Sequence, residues 1–372
     1  MNIQKIIPII VVLLIVGAIW YLESRKTSNG AVDAGPQDVV VLPDNERKSE
    51  KAKQFEVGKE ISSPDGFINT DSITVEELVG DKIVLVDFWT YSCINCQRTL
   101  PHLNDWHDKY AEDGLVILGL HTPEFEFEKK YENVLSAVEK YDIKYPVILD
   151  NDFSTWRSYN NRYWPRKYII DIDGFIVYDH IGEGAYDETE AKIVELLNER
   201  KRVLGEEEIT MKKSDVGERV DFSQVKSHET YLGSDRAQYI DNETNFQCLE
   251  NFCEYHESED LSLGSYSFDG SWRINKESST VGSKNGSLTI NFSASKVNLV
   301  AGSQTPVQAQ IWLDGEVITP DHSGYSVDEN GFVTFHEHDL YNLVDLRNSY
   351  GEYVLKIEFQ DTGVDAFAFT FG

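Results

Sequence analysis

Two cysteines, Cys93 and Cys96, constrain the fold most, because they are two residues apart and follow an apolar run. That run, Ile83–Trp89 (IVLVDFW), predicts a buried central strand. Residues 97–110 then place apolar side chains at helical spacing. The cysteines therefore lie where a strand leads into a helix. At a helix start, free N–H groups and the positive end of the dipole stabilise a thiolate.

The same C-x-x-C spacing could supply half of a zinc site, which needs two further ligands. The other cysteines, Cys248 and Cys253, lie far along the chain in a segment of different texture. We therefore expect no metal and dithiol–disulfide exchange, with Cys93 as nucleophile and Cys96 as the resolving thiol. We expect Cys248 and Cys253 to form a structural disulfide, with a second redox couple as the alternative.

The rest of the chain predicts two architectures in succession. Within residues 53–205, apolar runs of strand length alternate with helical patterns, which predicts an α/β sheet with helices on both faces. Residues 206–228 are charged and irregular, and we interpret them as a linker. Residues 229–372 contain short alternating segments separated by turns, which predicts an all-β sandwich or jelly roll.

The N-terminal segment predicts a membrane anchor. Ile6–Leu22 is apolar and uncharged, and its length is at the short end for a membrane-spanning helix. A cleaved signal peptide needs small residues just after its apolar core, whereas Glu23 follows here. We expect residues 1–26 to be an uncleaved transmembrane helix at the cell membrane, with a cleaved signal peptide as the alternative. Residues 27–52 are polar and predict a flexible tether that holds an extracytoplasmic catalytic domain.

The net charge of −30 excludes one class of partner. A surface this acidic repels phosphate backbones, so we expect no nucleic acid. Solubility is the simplest interpretation of the charge. Dithiol exchange requires no cofactor, and none is expected.

Several motifs resemble one family. The string Asp87–Pro101 (DFWTYSCINCQRTLP) closely resembles the thioredoxin-like domain of DipZ-type proteins, within the wider TlpA/ResA group. Pro64–Thr70 (PDGFINT), His121–Phe125 (HTPEF), Arg162–Tyr168 (RYWPRKY) and the closing FTFG extend the resemblance from about Phe55 to the C-terminus. It implies a thioredoxin fold followed by a sandwich like that of carbohydrate-binding modules.

The resemblance also implies roles for three residues, Asp87, Glu124 and Pro165. Asp87 corresponds to a buried carboxylate that takes the proton of the resolving thiol, although an ordinary polar residue at a strand end remains possible. Glu124 corresponds to an acidic residue near the cysteines, or is one more surface glutamate. Pro165 corresponds to the cis-proline that faces the cysteines. Trp164, beside it, and Trp89 are expected to contact the substrate.

The implied activity is that of an extracytoplasmic thiol–disulfide oxidoreductase that reduces protein disulfides. DipZ-type proteins carry their own multi-span electron conduit, whereas this sequence offers one candidate span. We therefore expect a separate membrane electron donor of the CcdA/DsbD type.

Two alternatives stay open. One is an envelope protein whose C-terminal region binds glycan while its cysteines form a structural disulfide. Trp272, Trp312, Tyr325 and Tyr341 could stack on sugars, although core positions are favoured. The other is a thiol peroxidase, suggested by Thr90 three residues before Cys93, but Val86 replaces the proline of peroxiredoxins. The histidines at 322, 336 and 338 are interpreted as isolated surface residues.

Overall fold

The computed structural model of the chain describes residues 44–212, 216–217, 220–242, 248–258 and 260–372. Asp44–Gly372 form one compact unit. The expected anchor at residues 1–26 lies outside the described residues, as does most of the expected tether. Across the described ranges, no helix is both long and apolar enough to cross a membrane.

The first part of this unit, the α/β part, carries one six-stranded sheet in the order β1-β4-β3-β2-β5-β6. The thioredoxin fold predicted for this region is confirmed. Its elements are α1 Asp44–Lys51, β1 Gly66–Ile68, α2 Val75–Leu78, β2 Ile83–Trp89, α3 Ile94–Tyr110, β3 Leu115–His121, a 3-10 helix Glu126–Lys129, α4 Tyr131–Lys140, β4 Val147–Leu149, α5 Ser154–Ser158, β5 Arg166–Ile170, β6 Ile176–Ile181 and α6 Tyr186–Leu204.

Strand β2 is the centre of this sheet, and all seven of its residues are buried. It runs parallel to β3 and antiparallel to β5. Its uninterrupted apolar run is explained by this position, because a strand covered on both faces has no solvent side. Helix α3 packs Leu100, Leu103 and Trp106 into the core and contains Pro101. The cysteine pair therefore sits between the most buried strand and a helix anchored on the same core.

The expected tether over residues 27–52 is wrong for its last part. Asp44–Lys51 forms α1, and two of its three cations, Arg47 and Lys51, are held by carboxylates of the α/β part. Arg47 Nε lies 2.6 Å from Asp173, and Lys51 Nζ lies 2.6 Å from Asp171 and 2.5 Å from Glu199. These partly buried pairs explain why a polar segment without apolar periodicity is docked instead of free.

The second part, the C-terminal β region, is one connected 12-stranded sheet system. Its strands are β7 Thr230–Tyr231, β8 Phe252–Tyr255, β9 Tyr266–Ile274, β10 Ser279–Val281, β11 Ser287–Ala294, β12 Lys296–Ser303, β13 Val307–Leu313, β14 Glu316–Val317, β15 Phe332–Phe335, β16 Asp339–Asp345, β17 Gly351–Phe359 and β18 Val364–Phe371. Strand β9 pairs with β11 up to Asp269 and with β8 and β10 from Gly270 onward. Gly270 has φ +82°, which only glycine adopts at low cost.

One apolar cluster joins the two parts. Phe367 of β18 lies with its ring 5.1 Å from that of Phe125 and 4.8 Å from that of Phe127. Val300 and Leu340 belong to the same buried core as the residues of α3. The described residues of the expected linker also make specific contacts: Asn198 exchanges two hydrogen bonds with the backbone of Ile209, at 3.0 and 2.8 Å. The C-terminal β region is therefore packed on the α/β part.

Candidate active site

The two cysteines lie at the first turn of α3, where their unequal burial separates their roles. Cys93 is the N-cap residue and is half-buried, and its Sγ accepts a hydrogen bond from the N–H of Cys96 at 3.4 Å. Cys96 is 1% exposed, and both are free thiols. Burial, followed by the neighbouring Cys93, raises the pKa of the Cys96 thiol well above its usual value. The accessible Cys93 can attack, and Cys96 needs a base before it can.

Asp87 supplies the carboxylate that could act as this base. It is 1% exposed in the middle of β2, and its Oδ1 has no hydrogen-bond partner in the described part of the chain. Desolvation raises its pKa to about 7, against the opposing charge of Lys167. A buried carboxyl with a pKa near neutrality can hold or release a proton under ordinary conditions.

Lys167 was missed by the sequence analysis. It stands directly opposite Asp87 in the antiparallel register of β2 and β5, and it is fully buried. Its Nζ donates to the carbonyl of Gly182 at 3.2 Å, and desolvation lowers its pKa. The sequence did indicate that Lys167 is buried, because it stands two residues before the apolar Ile169 and side chains two apart point to the same face of a strand.

The peptide bond between Trp164 and Pro165 is cis, as the resemblance implied. Pro165 is buried immediately before β5, and its carbonyl accepts from the N–H of Gly182 at 2.8 Å. Trp164 is half-buried, with its indole N–H donating to the carbonyl of Thr122 at 2.9 Å. Its ring therefore has a fixed place at the edge of the site.

Trp89 does not fit the substrate-binding role expected for it. Its side chain is 0% exposed and meets His121 edge-on, with the ring centroids 5.1 Å apart. Trp89 and Asp87 share the face of β2 that α3 covers. We therefore assign Trp89 to the core.

A cavity of about 370 Å³ opens beside Cys93, and both parts of the molecule line it. Trp164 and Glu124 come from the α/β part. Phe222 and Phe371 come from the expected linker and the C-terminal β region. Phe222, which lies in the stretch 206–228 that we interpret as a linker, therefore forms part of the wall around the cysteine.

Glu124 is held from across this boundary. Its Oε1 accepts hydrogen bonds from the hydroxyl of Tyr231 at 2.8 Å and from the guanidinium of Arg236 at 2.7 Å. Its side chain is 10% exposed, so it is not an ordinary surface glutamate. Arg236 lies over the ring of Tyr231 at 3.7 Å. Neither partner was singled out from the sequence, because both lie more than a hundred residues away from Glu124.

The sequence matches two family patterns: the AhpC/TSA family over residues 49–179 and the thioredoxin-like C-terminal domain over residues 227–372. It is 34% identical to protein DipZ of Mycobacterium bovis over 240 residues, which are 64% of this chain and 34% of DipZ. It is 31% identical to the thiol–disulfide oxidoreductase ResA of Bacillus cereus over 142 residues, covering 37% of this chain and 77% of ResA. The chain belongs to the thioredoxin-like thiol–disulfide oxidoreductases.

The chain spans about a third of the length of the DipZ proteins it matches. Among solved structures, a thiol–disulfide isomerase from Corynebacterium glutamicum covers 39% of this chain and 97% of its own, at 20% identity and a TM-score of 0.36.

A second buried carboxylate, that of Glu128, was not predicted from the sequence. Glu128 is 0% exposed and accepts hydrogen bonds from Ser92, Glu124 and Phe125. Phe125 and Phe127 are buried while Glu126 is exposed, so an alternating pattern would have placed Glu128 outside. The sequence gives no signal for its burial.

The remaining expectations concern the C-terminal β region. Cys248 and Cys253 form the predicted disulfide, with their Cα atoms 5.7 Å apart. Trp272 is fully buried, as favoured, whereas Tyr325 is 74% exposed. In the described ranges, Asp171, Asp173 and Glu199 form the one cluster with spacing suited to a metal ion, and Lys51 already contacts all three.

Proposed function

We propose that this oxidoreductase reduces protein disulfides outside the cytoplasm by dithiol exchange at Cys93 and Cys96. Cys93 thiolate attacks one sulfur of a substrate disulfide and expels the other as a thiolate. Cys96 then gives its proton to Asp87 and attacks the mixed disulfide, so that the substrate leaves reduced and a Cys93–Cys96 disulfide forms. The observation that carries this proposal is the pairing of an accessible thiol at a helix start with a buried thiol beside a buried carboxyl.

The proposal includes the membrane context. We propose that residues 1–26 anchor the chain in the cell membrane, and that a CcdA/DsbD-like membrane protein returns two electrons to the Cys93–Cys96 disulfide. We also propose that residues 229–372 adopt the sandwich of carbohydrate-binding modules. Trp272 is buried and cannot stack on a sugar, whereas Tyr325 is 74% exposed, so glycan binding at this region would depend on the exposed aromatic side chains.

The direction of the reaction is tested by the reduction potential of the Cys93–Cys96 couple, measured against a dithiothreitol or glutathione buffer. A reductase should show a value near or below about −250 mV, whereas about −120 mV would indicate an oxidant and refute the proposal.

A turnover assay tests the mechanism. The chain should reduce insulin in the presence of dithiothreitol, and Cys93→Ser should abolish that activity. Cys96→Ser should instead accumulate a mixed disulfide with substrate. Insulin reduction that survives Cys93→Ser would contradict the assignment.

A further inference from the structure

Four N–H and O–H groups converge on the buried carboxylate of Glu128. Its Oε1 accepts from the Ser92 hydroxyl at 2.6 Å and from the Ser92 N–H at 3.3 Å. Its Oε2 accepts from the N–H groups of Glu124 at 2.6 Å and Phe125 at 2.9 Å. One side chain thus joins the residue directly before Cys93 to the loop after β3.

Burying a carboxylate is costly unless its lone pairs are satisfied, and here both oxygens are occupied by two donors each. A neutral glutamine could not replace it, because its NH₂ group would face N–H donors. The arrangement therefore needs an acceptor-only group of this length.

The segment that Glu128 holds also positions Cys93. The N–H of Cys93 donates to the carbonyl of Thr90 at 3.3 Å, and Gln97 of α3 donates to the carbonyl of Tyr91 at 2.8 Å. The turn from β2 into α3 is thus fixed at both ends, by α3 itself and by Glu128.

We propose that Glu128 is a positioning residue of the redox site, which holds the turn before Cys93 against the loop that carries Glu124. This role rests on the proposed dithiol function. It also connects the C-terminal β region to the cysteines, since Tyr231 and Arg236 bind the side chain of Glu124 while Glu128 binds its backbone.

The ionisation of Glu128 should make this support depend on pH. Desolvation raises the pKa of Glu128 to about 7, with Glu124 adding to the rise. Among the neighbouring groups, burial lowers the pKa of His121 to about 3 and lowers that of His338, and it raises that of Tyr91 above the working range. These three groups stay neutral above pH 7. Arg236 compensates the charge of Glu124.

The test compares Glu128→Gln with Glu126→Gln, an exposed neighbour in the same 3-10 helix, in the full reduced chain. Hydrogen exchange is followed by mass spectrometry over peptides covering residues 90–93 and 123–126, from about pH 6 to pH 8. In the wild type, protection corrected for intrinsic exchange should fall as the pH rises through about 7, because the closed turn binds the proton of Glu128 more tightly than the opened turn does. In Glu128→Gln, it should be at least about tenfold lower at pH 8 and independent of pH.

A chemical readout accompanies the exchange data. With thionitrobenzoate on Cys93, its release by Cys96 should slow at least about tenfold at pH 8 in Glu128→Gln, because the attack depends on the alignment of the two sulfurs. Glu126→Gln should match the wild type in both measurements. A folded Glu128→Gln chain with wild-type protection, pH profile and release rate would overturn the proposal.

If Glu128→Gln does not fold, Ser92→Ala decides the question, because it removes one donor and keeps the carboxylate. We expect lower protection over 90–93 and slower release of the thionitrobenzoate, and no change in either would overturn the proposal. Failure of the proposed function is distinguishable, because the wild-type chain would then not reduce insulin at all.

Discussion

Lys167 lies directly across from Asp87 on neighbouring strands, and both side chains are buried in the layer behind Cys96. On the other side of Asp87, the register partner is Gly119, where an added Cβ would come within 3.1 Å of Trp89 and Tyr145. The carboxyl is thus flanked by a buried cation on one strand and by a residue without a side chain on the other.

Replacing Lys167 with methionine should slow the second step of the reaction. Lys167 favours the ionised form of Asp87, so its removal should raise the pKa of Asp87 above about 7. The release of thionitrobenzoate from Cys93 should then reach its plateau at higher pH and be slower at pH 7.5 by about threefold to tenfold. Lys192→Met, which makes the same change in an exposed pair on α6, should leave the profile unchanged. An identical pH profile in both variants would contradict the role of Lys167.

Asp87→Asn should stabilise the reduced chain in a pH-dependent way. The pKa of Asp87 rises on folding from 3.8 to about 7, so the folded state binds this proton more tightly than the unfolded state. The stability from that proton is complete below about pH 4 and is lost as the pH rises through 7, an upper limit of about 4 kcal/mol. The variant should therefore be more stable than the wild type at pH 8, and its advantage over the wild type should be smaller at pH 5. Thermal unfolding at the two pH values measures this, and an equal difference at both would refute it.

Arg236→Gln should slow the reaction of Cys93 with iodoacetamide in a Cys96→Ser background. The substitution removes the cation that compensates Glu124 in the cavity shared with Cys93, and an uncompensated anion disfavours a nearby thiolate. We expect a decrease of about twofold to fivefold at low salt, with a smaller decrease at high salt. The double variant Glu124→Gln/Arg236→Gln should recover most of the rate. If the double variant is as slow as the single one, the effect is not electrostatic.

Removing the second disulfide should affect stability and spare the redox reaction. Cys248 and Cys253 close a short loop, with a sequence separation of 5, for which the loss is about 2 kcal/mol. The variant with both residues changed to alanine should unfold at lower temperature and keep its rate of insulin reduction. A loss of turnover in a folded variant would indicate that this pair takes part in electron transfer.

The part of the site that the sequence predicted is local. Spacing was enough to place Cys93 and Cys96 in one strand–helix connection, whereas the role of Asp87 was implied by the family resemblance. The expectation for Trp89 was wrong, because the residue two positions after the buried Asp87 faces the same side of the strand and lies in the core. The prediction of a flexible tether was wrong at Asp44–Lys51 for another reason. Arg47 and Lys51 pair with carboxylates that only the tertiary fold brings close to them.

The residues that were missed depend on contacts between distant segments. Tyr231 and Arg236 reach Glu124 only because the C-terminal β region packs on the α/β part. Glu128 is buried against the expectation from its neighbours, because it pairs with backbone groups, which no side-chain pattern reveals. Lys167 could have been found once the register of β5 against β2 was known.

The ring of Phe367 packs against those of Phe125 and Phe127, and this contact limits where the chain can be cut into fragments. A fragment ending near residue 205 would leave these two aromatic rings uncovered on the loop that leads to Glu128. It should aggregate more readily and hold its catalytic turn less firmly than the full chain. Recombination between related genes would then preserve solubility only when the loop that carries Phe125 and Phe127 is inherited together with the strand that carries Phe367.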